Sequence, residues 1–377
     1  MKDVLVQEIE LMAVGPDGPM VTWSSRLGPM YEALVIARLR LSNGIEGLAG
    51  VTVYTEHEFD QSVYAASSLM APFVLGRSVH DIPKVYRHMR SRYVPLNHVA
   101  TSLFDIALHD GKAKSLNLPI YKMLGAAQEC IRAYASSPLF DNDDAYVAYV
   151  REVLNQGYTT VKIHPYCEFR EDLRLVKRLI REFEDKDIGW ILDADANYTR
   201  DQALRIGRVM DQAGWEFFEA PLPDSNLKGY GALANALDMD VVYGGTTLPD
   251  PHLIELGLQM GAWDRVRFEA SGIGGFTGGN EAMAIARAHG VKCELLSWGY
   301  TLSQAANLHL MLANSNCEYL EQASPFDKYE FGTKTPLRPD ADGLVYPTEM
   351  PGLGVEMDWH VIQKHVYASR VFEQETV

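Results

Sequence analysis

The sequence predicts an α/β protein built on a (β/α)8 barrel of the TIM type, preceded by a smaller α+β region. Three observations predict it. Beyond residue 130 short apolar runs alternate with helical stretches, the runs number eight, and they recur at a spacing of about 25–30 residues. Alternation of strand and helix implies parallel strands, and eight such units are what a closed barrel needs.

Taken in order, Val4–Val14 and Ala33–Leu41 read as strands, and Asn43-Gly44 between Ser42 and Ile45 is a hairpin signal. Helical stretches follow around 60–72, 81–92 and 96–116, the last with apolar residues at 99, 103, 106, 107 and 113 on one face. The eight later strands are Ile131–Ser136, Thr160–His164, Trp190–Asp195, Glu216–Glu219, Asp240–Tyr243, Arg265–Glu269, Lys292–Leu296 and Glu318–Glu321. Helical patterns such as Glu171–Glu184 and Gln202–Ala213 lie between them. A doubly wound open sheet is the alternative, weakened by the lack of a GxGxxG turn after any early strand. Gly272-Ile273-Gly274-Gly275 with Gly278-Gly279 lacks the Gly-Lys-Ser/Thr of a phosphate loop and reads as a tight strand-to-helix turn.

Composition narrows the function classes. The chain has 377 residues, 34 basic and 50 acidic, for a net charge of -16. That argues against a nucleic-acid partner, since phosphate backbones need a basic face, but leaves room for an anionic small substrate held by a few local cations. Cys130, Cys167, Cys293 and Cys317 are scattered with no paired spacing, as in a reduced cytoplasmic protein. No stretch approaches a membrane span, and Met1-Lys2-Asp3 runs into strand-like sequence without a signal core.

In such a barrel, function collects at the C-terminal strand ends. Those ends carry Lys162 and His164, Asp195 and Asn197, Glu219, Thr246, Glu269, Leu296 and Glu321. Like charges gathered there repel unless a cation or proton lies between them, and oxygen ligands suit Mg2+ or Mn2+. Side chains two apart on a strand share a face, so Asp193, Arg267 and Glu294 are expected beneath Asp195, Glu269 and Leu296 as a paired internal network.

Several segments resemble the mandelate racemase branch of the enolase superfamily. They are ATSLFDIALHDGKAKSLNLPIYKMLG (100–125), VKIH (161–164), LDADAN (192–197), FFEAPL (217–222), VYGG (242–245), the Gly274-Gly275 turn and YLE (319–321). The resemblance covers nearly the whole chain. It implies an α+β capping domain over 1–127, a barrel over 128–330 and a segment over 331–377 returning to the cap. It further implies Mg2+ held by strand-end carboxylates, removal of the proton α to a substrate carboxylate, and homo-oligomers.

Carried over by position, Asp195 and Glu219 match two metal ligands, and Thr246 stands where the third, a glutamate, belongs. Asn197 matches an Asp-x-Asn pattern, Glu321 a glutamate bonding the enediolate, and Lys162 the first lysine of a Lys-x-Lys pair. His164 replaces the second lysine, Glu269 an aspartate and Leu296 the histidine that this aspartate orients. The expectation is therefore a sugar-acid dehydratase or related isomerase with Lys162, His164 and Glu321 catalytic, His164 being the base. Asn197, Glu269, Trp298 and Tyr300, with the loops Val21–Leu27 and Val51–His57, are expected to line a pocket for a hydroxy-carboxylate. The rival expectations are a non-catalytic barrel and a metal-independent isomerase, since the usual His-Asp dyad and third ligand are absent.

Overall fold

The computed structural model describes residues 3–15, 22–25, 27–28, 30–92, 98–325 and 327–374. Its N-terminal strands β1 (Val6–Val14), β2 (Tyr31–Leu41) and β3 (Glu46–Thr55) form an antiparallel sheet. The hairpin at Asn43-Gly44 joins β2 to β3, with Gly44 at a φ of 81° and the Asn43 Oδ1 accepting from the Ile45 N–H at 3.2 Å.

Eight parallel strands follow: β4 (Ile131–Ser136), β5 (Thr160–Ile163), β6 (Gly189–Asp193), β7 (Phe217–Glu219), β8 (Asp240–Val242), β9 (Arg265–Phe268), β10 (Lys292–Leu295) and β11 (Cys317–Ala323). Each pairs with the next, and β11 pairs with β4 to close the barrel. β12 (Leu344–Val345) runs antiparallel beside the start of β4. The chain then returns to the first sheet, where β13 (Val366–Glu373) pairs with β1.

The intervening helices start where the sequence provides caps. Thr199 opens the helix Arg200–Gln212 with a reciprocal capping box to Gln202, and Asn142 caps Asp143–Asn155 through Ala145 N at 3.0 Å. Helix His98–Ser115 is buried along most of its length because it lies between the antiparallel sheet and the barrel's helical layer. Its Asp105 accepts from the Thr277 N–H at 3.0 Å and the Thr277 hydroxyl at 2.5 Å. The Gly274-Gly275 turn makes this approach possible: a Cβ on Gly275 would lie 2.4 Å from the Asp105 carboxylate, and its φ is 70°. Asp110 on the same helix accepts from Leu48 N and Leu353 N, each at 2.7 Å, tying sheet, helix and C-terminal segment together.

Inside the barrel, Tyr134, Ile191, Phe217 and Val242 form an apolar plug below the mouth. Above that plug the interior changes from apolar to charged. Strand β6 ends at Asp193, two residues before the expected end, because Asp195 and Ala196 take left-handed φ values of 45° and 59° and turn the chain away. No helix among the described residues is long and apolar enough to cross a membrane.

Candidate active site

Lys162 alternates inward on β5, and burial alone would lower its pKa, but Glu219 and Glu321 outweigh burial and hold it raised. Its Nζ lies 3.1 and 3.3 Å from the two Glu219 oxygens and 3.4 Å from Asp193 Oδ2, and it also pairs with Glu321. His164 follows two residues later. Its Nδ1 is 2.6 Å from the Ser137 carbonyl oxygen and its Nε2 is 3.2 Å from Asp193 Oδ2. A carbonyl can only accept, so Nδ1 carries hydrogen, and Nε2 is turned toward the Asp193 carboxylate.

The carboxylate facing Glu219 is Asp193. The two are paired across β6 and β7, whereas Asp195, expected in that place, lies farther along the wall. Burial would raise the Asp193 pKa, but Lys162 and His164 outweigh it and hold the group well below the usual carboxylate range. Asp195 is raised by burial and by Asp193, and its backbone N–H donates to Asp193 Oδ1 at 3.0 Å. In both β6 and β7 the first carboxylate after the apolar run (Ile191-Leu192-Asp193 and Phe217-Phe218-Glu219) points into the mouth. That signal was in the sequence.

Arg267 was expected one layer down in a network with Asp193 and Glu294. It does pair with Glu294 (Nη1–Oε1 3.3 Å), but Asp193 goes to Lys162 and His164 instead. The fully buried guanidinium turns up into the mouth, with Nη2 at 2.8 Å from Glu219 and 2.9 Å from Glu321. Glu294 also accepts from the Tyr134 hydroxyl at 2.7 Å, and burial pushes its pKa up to about 7. For Glu321, burial is outweighed by Lys162 and Arg267, which keep its pKa low. Three carboxylates, Asp193, Glu219 and Glu321, thus meet three basic side chains, Lys162, Arg267 and His164.

This donor set does not fit the expected Mg2+. Glu219 is engaged by Arg267 and Lys162, Asp193 by Lys162, His164 and a backbone N–H, and Thr246 brings no charge. A dication on the Glu219 oxygen that accepts from Arg267 would lie no more than about 5 Å from the guanidinium. At an effective dielectric of about 20 the repulsion is roughly 7 kcal/mol. Among the described residues no group of three or more His, Cys, Asp or Glu side chains is arranged to hold a metal ion. Asp195, Glu219 and Thr246, the residues expected to hold Mg2+, are not gathered into such a group here.

Over the mouth lies a cavity of about 540 Å3 between barrel and cap. The cap contributes Trp23, Leu27, Met30, Thr52, Val53 and Tyr54; the barrel contributes the cluster above with Thr246, Glu269, Leu296 and Trp298. Val21 and Arg26 of the expected loop lie outside the described residues. Glu269 is half-buried on the wall, its Oε2 accepts from the Ser271 hydroxyl at 2.6 Å, and burial pushes its pKa up to about 7. Trp298 stands edge-on to His164, ring centroids 5.4 Å apart. It is held by its Nε1 donating to Tyr329 Oη at 2.6 Å, while Tyr329 donates to the buried Glu32 at 2.9 Å.

Two expected pocket residues do other work. Asn197 donates to the carbonyls of Ala194 (3.1 Å) and Asp195 (2.8 Å), holding the left-handed turn after β6. Tyr300 sends its hydroxyl to the Glu32 carbonyl at 2.5 Å, which anchors the cap sheet instead of facing the cavity.

Comparison with known proteins agrees with this architecture. Residues 19–125 match the mandelate racemase/muconate lactonizing enzyme N-terminal domain, and residues 145–361 match the enolase C-terminal domain-like family. A solved structure assigned to the mandelate racemase/muconate lactonizing enzyme group, from Pseudovibrio sp., superposes with a TM-score of 0.96 at 34% identity, covering 99% of this chain and 100% of that one. L-talarate/galactarate dehydratase of Salmonella typhimurium is 28% identical over 347 residues, which are 88% of this chain and 82% of the relative. A mutant of that dehydratase, liganded with Mg and L-glucarate, shares the fold with a TM-score of 0.88 at 24% identity, over 100% of this chain and 95% of that one. The chain belongs to the mandelate racemase/muconate lactonizing enzyme family of the enolase superfamily.

Proposed function

We propose that the chain is a lyase acting on a hydroxy-carboxylate, with dehydration of a sugar acid as its reaction. One observation carries this reading: two proton-transfer groups, His164 after β5 and Glu269 after β9, line the same cavity from strands four apart in a ring of eight, hence from opposite walls. The names of the relatives support the substrate class.

Glu269, raised to about 7, is matched to accept a proton near neutral pH. It takes the hydrogen α to the substrate carboxylate, and the electron pair moves into the carboxylate as an enediolate. Lys162 and Arg267 on the cavity floor offset that charge. The enediolate then expels the β-hydroxyl, which leaves as water with a proton from His164. The resulting enol tautomerises to a 2-keto acid. His164 thus serves as the acid of this elimination and Glu269 as the base. Magnesium has no part in this reading. The opposed pair also suits a second reading, 1,1-proton transfer, because each face of the substrate meets one group.

Screening a panel of sugar acids in EDTA-treated buffer tests the proposal. A 2-keto product supports dehydration, epimerised substrate supports the second reading, and neither product on any acid would contradict both. We also propose a cytoplasmic homo-oligomer. The four cysteines are free, and Leu253, Leu256 and Met260, exposed at helical spacing, supply an apolar face. Light scattering of the wild type, and of Leu256→Glu as a smaller species, checks the assembly.

A further inference from the structure

Arg267 on β9 and Thr246 in the turn after the neighbouring β8 both line the barrel mouth. Where the resemblance implies a third ligand carboxylate, the chain has an exposed, neutral Thr246. On the neighbouring strand it has a guanidinium with no exposure at all, bonded to both Glu219 and Glu321. The mouth thus has no carboxylate at Thr246, and its carboxylates Asp193, Glu219 and Glu321 are met by Lys162 and Arg267.

The backbone is fitted to this arrangement. Gly245, at a φ of 84°, brings the end of β8 against Arg267, and a Cβ there would lie 2.8 Å from the Arg267 carbonyl oxygen and 2.9 Å from its Cγ. Below, Glu294 receives Nη1 and is itself held by Tyr134. The guanidinium is therefore fixed from two sides, a rigid fork aimed at two carboxylates.

We infer that the Arg267 guanidinium, with the Lys162 ammonium, is a built-in substitute for the divalent cation, and that this protein works without a metal ion at the barrel mouth. The inference deepens the proposed function, but its test does not depend on finding a substrate.

The full-length protein, dialysed against EDTA, is titrated with Mg2+ and with Mn2+ by calorimetry, and Mn2+ is also followed through water-proton relaxation. The wild type is expected to show no saturable binding at millimolar metal and no metal-dependent rise in Tm. The double variant Arg267→Gln/Thr246→Glu, which removes the guanidinium and supplies the carboxylate, should gain saturable binding of both ions, checked for folding by circular dichroism. Saturable binding to the wild type that Glu219→Gln abolishes would overturn the inference. So would a folded double variant that still binds neither ion, since Arg267 would then not be what takes the cation's place. Should the double variant fail to fold, the wild-type titration with its Glu219→Gln control still decides. A sugar-acid screen without product would remove the functional reading and leave this measurement standing.

Discussion

His164 is held between two acceptors, its Nδ1 at the Ser137 carbonyl and its Nε2 toward the Asp193 carboxylate. The proposed mechanism makes it the acid and Glu269 the base. General acid or base catalysis contributes roughly 10²–10⁴-fold, so His164→Ala and Glu269→Gln should each lower kcat by at least about a hundredfold while leaving the circular dichroism spectrum unchanged. A loss under about threefold in Glu269→Gln would remove it as the base. The pH profile gives a separate check. Glu269 works ionised, and burial sets its pKa at about 7, so kcat/KM should rise with pH through neutrality. Glu269→Asp should shift that limb, whereas a merely structural residue would lower the whole profile without moving it.

The strand-end turns are where geometry rests on single positions. Gly245→Ala places a Cβ against the Arg267 backbone at a φ that favours glycine, so it should cost about 2 kcal/mol or more, read as a lower denaturation midpoint. All eight barrel strands and the β2–β3 hairpin were legible in the sequence, because apolar runs bounded by turns fix parallel strands regardless of their neighbours. Strand ends were less legible. The Asp-x-Asn pattern marks Asp195 and Asn197, whereas the residue set opposite Glu219 is Asp193, just before left-handed Asp195 and Ala196 turn the chain. Arg267 lay beyond reach for another reason. Alternation gives the face a side chain shares but not how far a long one extends, and its guanidinium extends up into the mouth. Tyr300 was expected to line the pocket, yet its hydroxyl is drawn away by the Glu32 carbonyl.

At the scale of the whole molecule, the cap sheet, helix His98–Ser115 and the C-terminal segment meet at the buried Asp110. Asp110 holds two backbone N–H groups and Lys114, so Asp110→Ala leaves those donors unpaired and should cost roughly 3–5 kcal/mol in chemical denaturation. The buried carboxyls also set the pH dependence of stability. Burial raises Glu32, Asp172, Glu269 and Glu294 to about 7, above their unfolded values. The folded state therefore binds more protons than the unfolded one between about pH 4.5 and 7, and stability contributed by these groups falls as pH rises through that window. Thermal midpoints measured at pH 6 and pH 8 should show a lower Tm at the higher pH, unless the folded protein ionises these groups freely. The central claim is that proton transfer at carbon is performed by Glu269 and His164 over a floor of fixed cations. The most direct measurement is NMR of sugar acids incubated in D2O with EDTA, following exchange of the hydrogen α to the carboxylate alongside keto-acid formation. The account predicts exchange or product with the wild type in EDTA, abolished in Glu269→Gln. No exchange for any acid, or exchange that needs added Mg2+ and survives Glu269→Gln, would contradict it.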